Sequence, residues 1–139
     1  MAAYSFTATA VMATGVGNAL VAGEAIDAGE FIYKDSTDSN KAKLADNSTE
    51  AKAAVVGIAL NSATAAGQPI NYTASGVITV QAAAFTNIGD LLFLSTTPGA
   101  AEPHADLTTS DYVTLLGWAT GATTFQLSIK ATALALTAN

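Results

Sequence analysis

Residues 55–80, VVGIALNSATAAGQPINYTASGVITV, restrict this chain to a small set of β architectures. Residues 55–60 form an apolar run with β-branched side chains, too short for an ordinary helix and interrupted by Gly57. Residues 61–67 are a small-residue connector. Ile70 and Tyr72 then alternate with Asn71 and Thr73, the period-two pattern of a strand with one buried face. Pro69 has no N–H to give to a ladder, which puts it at the start of that strand or on an edge. Residues 74–76 supply a tight turn, and residues 77–80 run back. Nothing in the stretch suits catalysis; it reads as scaffold.

An internal repeat extends this pattern to most of the chain. A displacement of 60 residues sets Gly29 on Gly89 and Gly57 on Gly117. Phe31-Ile32-Tyr33 then falls on Leu91-Leu92-Phe93, Glu30 on Asp90, and Val55-Val56 on Leu115-Leu116. Alanine and threonine identities carry little weight in a chain so rich in both. The glycine spacing carries more, because both pairs lie 28 residues apart. Glycine supplies positive φ at a turn and allows close backbone approach within a strand. The spacing predicts two copies of a turn–strand–loop–strand unit, over about residues 25–73 and 85–130. Each copy closes with an alternating strand, Ile70/Tyr72 in the first and Phe125/Leu127/Ile129 in the second. The expected fold is mainly β, a small barrel or sandwich of two related units with little or no helix. It forms a single domain over residues 22–130, followed by a small-residue tail, 131–139, with little to hold it.

Residues 1–21 precede this unit. They lack Lys or Arg near Met1, and Ser5, Thr7, Thr9 and Thr14 interrupt their apolar character, so a signal peptide is not expected. Tyr4, Phe6, Ala8 and Ala10 alternate with Ser5, Thr7 and Thr9, and residues 13–17 form a small-residue joint. Two readings stay open. The segment is either the first core strand, or an extended arm whose Tyr4, Phe6 and Val11 lie on a neighbour. An uncharged strand edge favours such pairing. Farther on, residues 36–50 (STDSNKAKLADNSTE) are the polar low point and predict an exposed loop. Thr49 can cap a short helix over 49–54, with Glu50 suited to its first turn.

Composition excludes several classes of function. Half the residues count as hydrophobic but only 7% are aromatic, so a core rich in alanine rests on few large side chains, which favours burial against neighbours. A net charge of −6 with five Lys and Arg leaves no basic patch for nucleic acid. No run of 18 apolar residues spans a membrane. The absence of cysteine removes disulfides and thiolate metal sites. His104 is the sole histidine and lies in a Pro- and Gly-rich loop, so no metal and no cofactor is expected. No Gly-x-Ser-x-Gly elbow accompanies it. Lys34 trails an apolar strand instead of occupying a turn, as the lysine of a biotinyl or lipoyl carrier would. Trp118, next to Gly117, suits either core packing or an interface anchor.

Several of these features occur in a characteristic order. They are the glycine-led strand at 57–60, the small-residue turn at 65–69, and the hairpin closing on Gly-Val at 76–80. The Gly-Asp turn and apolar strand at 89–94, the apolar-Gly-apolar-Ala strand at 115–119 and the last alternating strand at 125–130 follow. Together they resemble the small capsid cement, or head-decoration, proteins of tailed bacteriophages, over roughly residues 22–130. The resemblance implies a structural virion protein, not an enzyme, on the outer surface of the phage head. There it would hold adjacent major capsid subunits together, commonly as a homotrimer. The alternative from another class is a β-barrel carrier or small-ligand-binding module.

Overall fold

The repeat is written into the hydrogen bonds of the backbone. The structure, a computed structural model, describes residues 4, 6–13, 17–82 and 84–137. Gly29 and Gly89 both adopt φ +92°. The Gly29 N–H donates to the Ala59 carbonyl at 2.8 Å, and the Gly89 N–H to the Ala119 carbonyl at 2.7 Å. In return Ala59 donates to Glu30 at 2.9 Å and Ala119 to Asp90 at 2.8 Å. Ile32 stands opposite Gly57, and Leu92 opposite Gly117. Each contact recurs 60 residues later, so the two copies are one folding unit used twice.

The described residues form eleven strands: β1 (Met12–Ala13), β2 (Asn18–Val21), β3 (Phe31–Asp35), β4 (Lys41–Leu44), β5 (Gly57–Ala59), β6 (Pro69–Thr73), β7 (Ser75–Thr79), β8 (Leu91–Leu94), β9 (Ala101–Glu102), β10 (Tyr112–Ala119) and β11 (Thr124–Ala135). The first sheet has the order β2-β6-β5-β3-β4, the second β1-β7-β11-β10-β8-β9, and every named pairing is antiparallel. The order β6-β5-β3-β4 thus reappears as β11-β10-β8-β9. The units differ in their closing hairpins, which join Ala59 to Tyr72 through residues 60–71 but Ala119 to Phe125 through residues 120–124. The two sheets pack face to face as a sandwich, so of the two architectures the sequence allows, the closed barrel is not the one adopted.

Between the sheets lies a core that includes Phe31, Ile58, Ile78, Leu92, Leu94, Leu116, Phe125 and Leu127, all buried. A second, smaller core sits on the opposite face of the first sheet: Ile26, Ile32, Ile70 and Tyr72 with Ala22, Ala42, Ala59 and Ala63. Side chains of alanine size let that sheet curl until its edges touch at one parallel bridge, Ala22 with Ala42, where Gly23 donates to Ala42 at 2.8 Å. Curled this way, the first sheet buries both faces, and Phe31, Ile32 and Tyr33 are all inaccessible.

Three local expectations are corrected. Residues 74–76 do not close a hairpin: β6 pairs with β2 and β5, and β7 with β1 and β11, so the chain bends at Ala74 and changes sheets. Both edges of β6 are already taken within its own sheet, by β2 and β5, which leaves the next strand no place beside it. Residues 36–50 are not an exposed loop. They contain β4 and the buried Ala42, Ala45, Asp46 and Asn47. Their polarity belongs to an edge strand: Lys43 reaches Asp35 at 2.9 Å and Asp38 at 3.3 Å, and Lys41 reaches Asp38 at 3.6 Å, charges that discourage further pairing. Nor does β11 stop at 130. It continues to Ala135, opposite Tyr112 of β10, and the Leu136 N–H then donates to Asp111 at 2.8 Å. The short helix does form, α1 (Glu50–Ala53), with Thr49 Oγ1 accepting from the Lys52 N–H at 3.2 Å.

The glycines predict distinct costs. A Cβ at Gly57 or Gly117 would overlap a carbonyl oxygen of the next strand, Thr73 or Gln126 respectively, whereas one at Gly89 meets nothing within 4 Å. Gly117→Ala and Gly57→Ala should each destabilise by more than about 3 kcal/mol or prevent folding. Gly89→Ala, strained only by its positive φ, should cost about 1 kcal/mol. Denaturant unfolding of the three variants measures the difference.

Candidate functional site

Charge is confined to parts of the chain. Seven of the eleven carboxylates lie between Glu24 and Glu50 and the other four between Asp90 and Asp111, while residues 53–89 carry none and Lys130 is the only charge after Asp111. On the fold this leaves the outward positions of β7, β11 and β10 almost without charge. Phe125 and Leu127 point into the core, so Thr124, Gln126 and Ser128 point away from it, opposite Thr79, Val77 and Ser75 of β7. Gln126 also stands opposite Trp118, and Trp118 opposite Leu91. Trp118 is 38% and Leu91 45% accessible, and Ile88, in the turn before β8, is 78%. Trp118 is therefore a surface residue and not a core one.

The repeat shows what is unusual about this pair. Its equivalent in the first unit is Ile58 opposite Phe31, fully buried beneath the second sheet. In the first unit the 31/58 face meets the partner sheet. In the second unit the partner sheet is met by the other face, through Leu92, Leu116 and Ala119. The units stack in the same sense, and the 91/118 face of the second is left uncovered.

Tyr4, Phe6 and Val11 lie on their own domain. The Tyr4 N–H donates to Ala101 at 2.7 Å, and its ring meets Phe85 edge-on at 5.4 Å. Phe6 stacks on Phe125 at 5.6 Å. Val11 and Phe6 close over Gly29, where an added Cβ would lie 2.9 Å from Val11 Cγ2 and 3.2 Å from Phe6 Cβ. Burial alternates from Phe6 to Ala10 as expected, although Ala8–Ala10 is a 3-10 turn, and β1 pairs with β7. Of the joint at residues 13–17, residues 14–16 lie outside the described residues.

A buried polar cluster fastens the first unit to the second. Asn47 is fully inaccessible: its N–H donates to Ser95 O at 3.2 Å, its Nδ2 to Leu94 O at 3.1 Å, and its carbonyl accepts from the Tyr112 N–H at 2.9 Å. Glu102 is 6% accessible, with Ser95 Oγ donating to Oε2 at 3.2 Å and Asn47 Nδ2 reaching Oε1 at 3.4 Å. Burial, with Asp111 and Asp106 nearby, raises its carboxyl to about 6, against the lowering effect of the Ser95 and Asn47 bonds. At the surface Asp35 behaves oppositely, held at about 2 by hydrogen bonds from Thr37 and Lys43. Sequence reasoning did not find this cluster, since nothing in the spacing of Asn47, Ser95 and Glu102 relates them.

Among the described residues no group of three or more His, Asp or Glu is placed to hold a metal, and no helix is long and apolar enough to cross a membrane. His104 is exposed and meets Phe93 edge-on at 5.6 Å. Lys34 is exposed within β3, opposite Ala42 and away from any turn tip. No protein-family model and no curated protein matches the chain. The uncharged face around Trp118 and Leu91 is the candidate functional surface.

Two substitutions separate it from the N-terminal packing. Phe6→Ala, which unstacks Phe125, should lower unfolding free energy by about 2–3 kcal/mol. Trp118→Ser should change it by less than about 1 kcal/mol. Thermal or denaturant unfolding measures both.

Proposed function

We propose that this protein is a structural virion protein, a cement or decoration protein that docks on the outer surface of a phage head and braces adjacent major capsid subunits. The observation that carries the reading is the uncovered 91/118 face. Its twin in the first unit is buried under a β-sheet, and it presents a tryptophan, a leucine and hydroxyl or amide groups, with no carboxylate between Asp111 and the end of the chain. Exposed aromatic and aliphatic groups without charge are what a protein partner buries at the centre of an interface. The resemblance of the order of turns and strands to that of capsid cement proteins supports a capsid as that partner.

The acidic remainder of the surface fits the same role. Carboxylates gathered on residues 24–50 and 90–111 keep copies apart wherever the uncharged face is not engaged. Association as a trimer would multiply a weak contact, because three linked sites raise effective affinity without new chemistry.

Mature heads stripped of this protein provide the test. The protein should cosediment with them, and Trp118→Ser or Leu91→Ser should weaken binding about thirtyfold, the scale of a hot-spot residue, with the unfolding midpoint unchanged. Native mass spectrometry of the isolated protein should give a trimer. Binding that both substitutions leave intact would remove the 91/118 face from the interface. A chain that does not bind heads would remove the decoration role.

A further inference from the structure

The Glu102 side chain is placed where an ionised carboxylate is poorly served. It is held by a serine hydroxyl and an amide, with no ion pair to a Lys among those described. The charged groups around it are mostly of its own sign: Asp111 before β10 and Asp106 on the 3-10 turn His104–Asp106. Asp46, next to Asn47, is 3.9 Å from Lys52, and the His104 imidazole sits against Phe93, the residue opposite Glu102. The buried network is also short of donors. Asn47 Oδ1 is buried with no donor, while Glu102 offers two more acceptor oxygens to one hydroxyl and one amide. A proton on Glu102 supplies the missing donor and removes the buried charge.

The strand that carries Glu102 is short. β9 has two residues, paired with Phe93 and Leu94 of β8 on one side. On the other side, among the described residues, Ala101 O accepts the Tyr4 N–H in an isolated bridge. Whatever unseats Glu102 therefore acts on β9 and on the N-terminal segment together.

We propose that Glu102 is a proton-operated latch: protonated, it seats β9 and the N-terminal segment bridged to it; ionised, it loosens both. The proposal is independent of the decoration role. Its sign follows from the direction in which the fold moves the carboxyl. The folded state holds the proton more tightly than a free glutamate, about 6 against 4.5, so the latch is fully closed below pH 4.5. Its contribution is lost as pH rises through 6 and does not change further above about 7. The displacement between 4.5 and about 6 corresponds to an opening equilibrium that grows about thirtyfold across that window.

Amide hydrogen exchange on the full chain from pH 4.5 to 7.5, corrected for intrinsic exchange, reads the latch at the Tyr4 N–H, with β10 and β11 amides as reference. Tyr4 protection should fall up to about thirtyfold relative to the reference. The fall should be absent in Glu102→Gln and retained in His104→Gln. The Glu102 carboxyl, followed by carbon-detected NMR in the unsubstituted protein, should titrate with the same midpoint as Tyr4 protection. That comparison stands even if Glu102→Gln does not fold. A carboxyl midpoint near 4.5, constant Tyr4 protection, or an equal fall in Glu102→Gln overturns the proposal.

Discussion

The structure depends on a junction of aromatic rings centred on Phe125. This ring meets Phe6 at 5.6 Å, Phe85 at 5.8 Å and Phe31 at 6.4 Å. Those partners belong to the N-terminal segment, the connector after β7 and the first sheet, so one side chain of β11 joins all three. In a chain with 7% aromatic residues and abundant alanine, no other contact could take its place. Aromatic rings bury far more area than alanine and hold preferred relative orientations, which fixes the spacing and angle of the two sheets. The N-terminal segment belongs to this junction through Phe6, with Tyr4 against Phe85.

Around that junction the two units use the same backbone for different ends. The first sheet is covered on both faces, by the second sheet and by its own alanine-lined curl. The second is covered on one. One difference lies in side-chain size at equivalent places: Ala42 allows the edges of the first sheet to touch, whereas its equivalent is Glu102, buried against Asn47 and Ser95 between the units. An asymmetric pair of this kind has one open face, on which Leu91 and Trp118 stand at the positions of Phe31 and Ile58. Those positions inherit the pattern of Phe31 and Ile58 without inheriting a cover.

Polar groups follow the same division. Lys41 and Lys43 guard the β4 edge, where charge is cheap because water screens it. Asn47 and Glu102 sit at the seam between units, where every hydrogen bond is made in a water-poor setting. Asn47 ties β8 and β10 to the loop after β4 through backbone and side chain at once, so the seam is specified by polar geometry as well as by apolar packing.

The sequence by itself determined the β class, the period-two strands at 70–73 and 125–129, and above all the repeat, because glycine at a fixed spacing reports a backbone need that no other residue meets. The equal φ of Gly29 and Gly89 and the crowded backbones at Gly57 and Gly117 are that need made visible. Tertiary structure alone decided which sheet each strand joins. Ala74 reads as a turn, yet β6 and β7 part there because pairing depends on which edges distant strands have already filled. It also decided that Trp118 faces solvent while Ile58, its twin, is buried, since both sit in the same local pattern and differ only in what lies across from them. Last, it brought Asn47, Ser95 and Glu102 together, a meeting set by the packing of two units and absent from any local pattern.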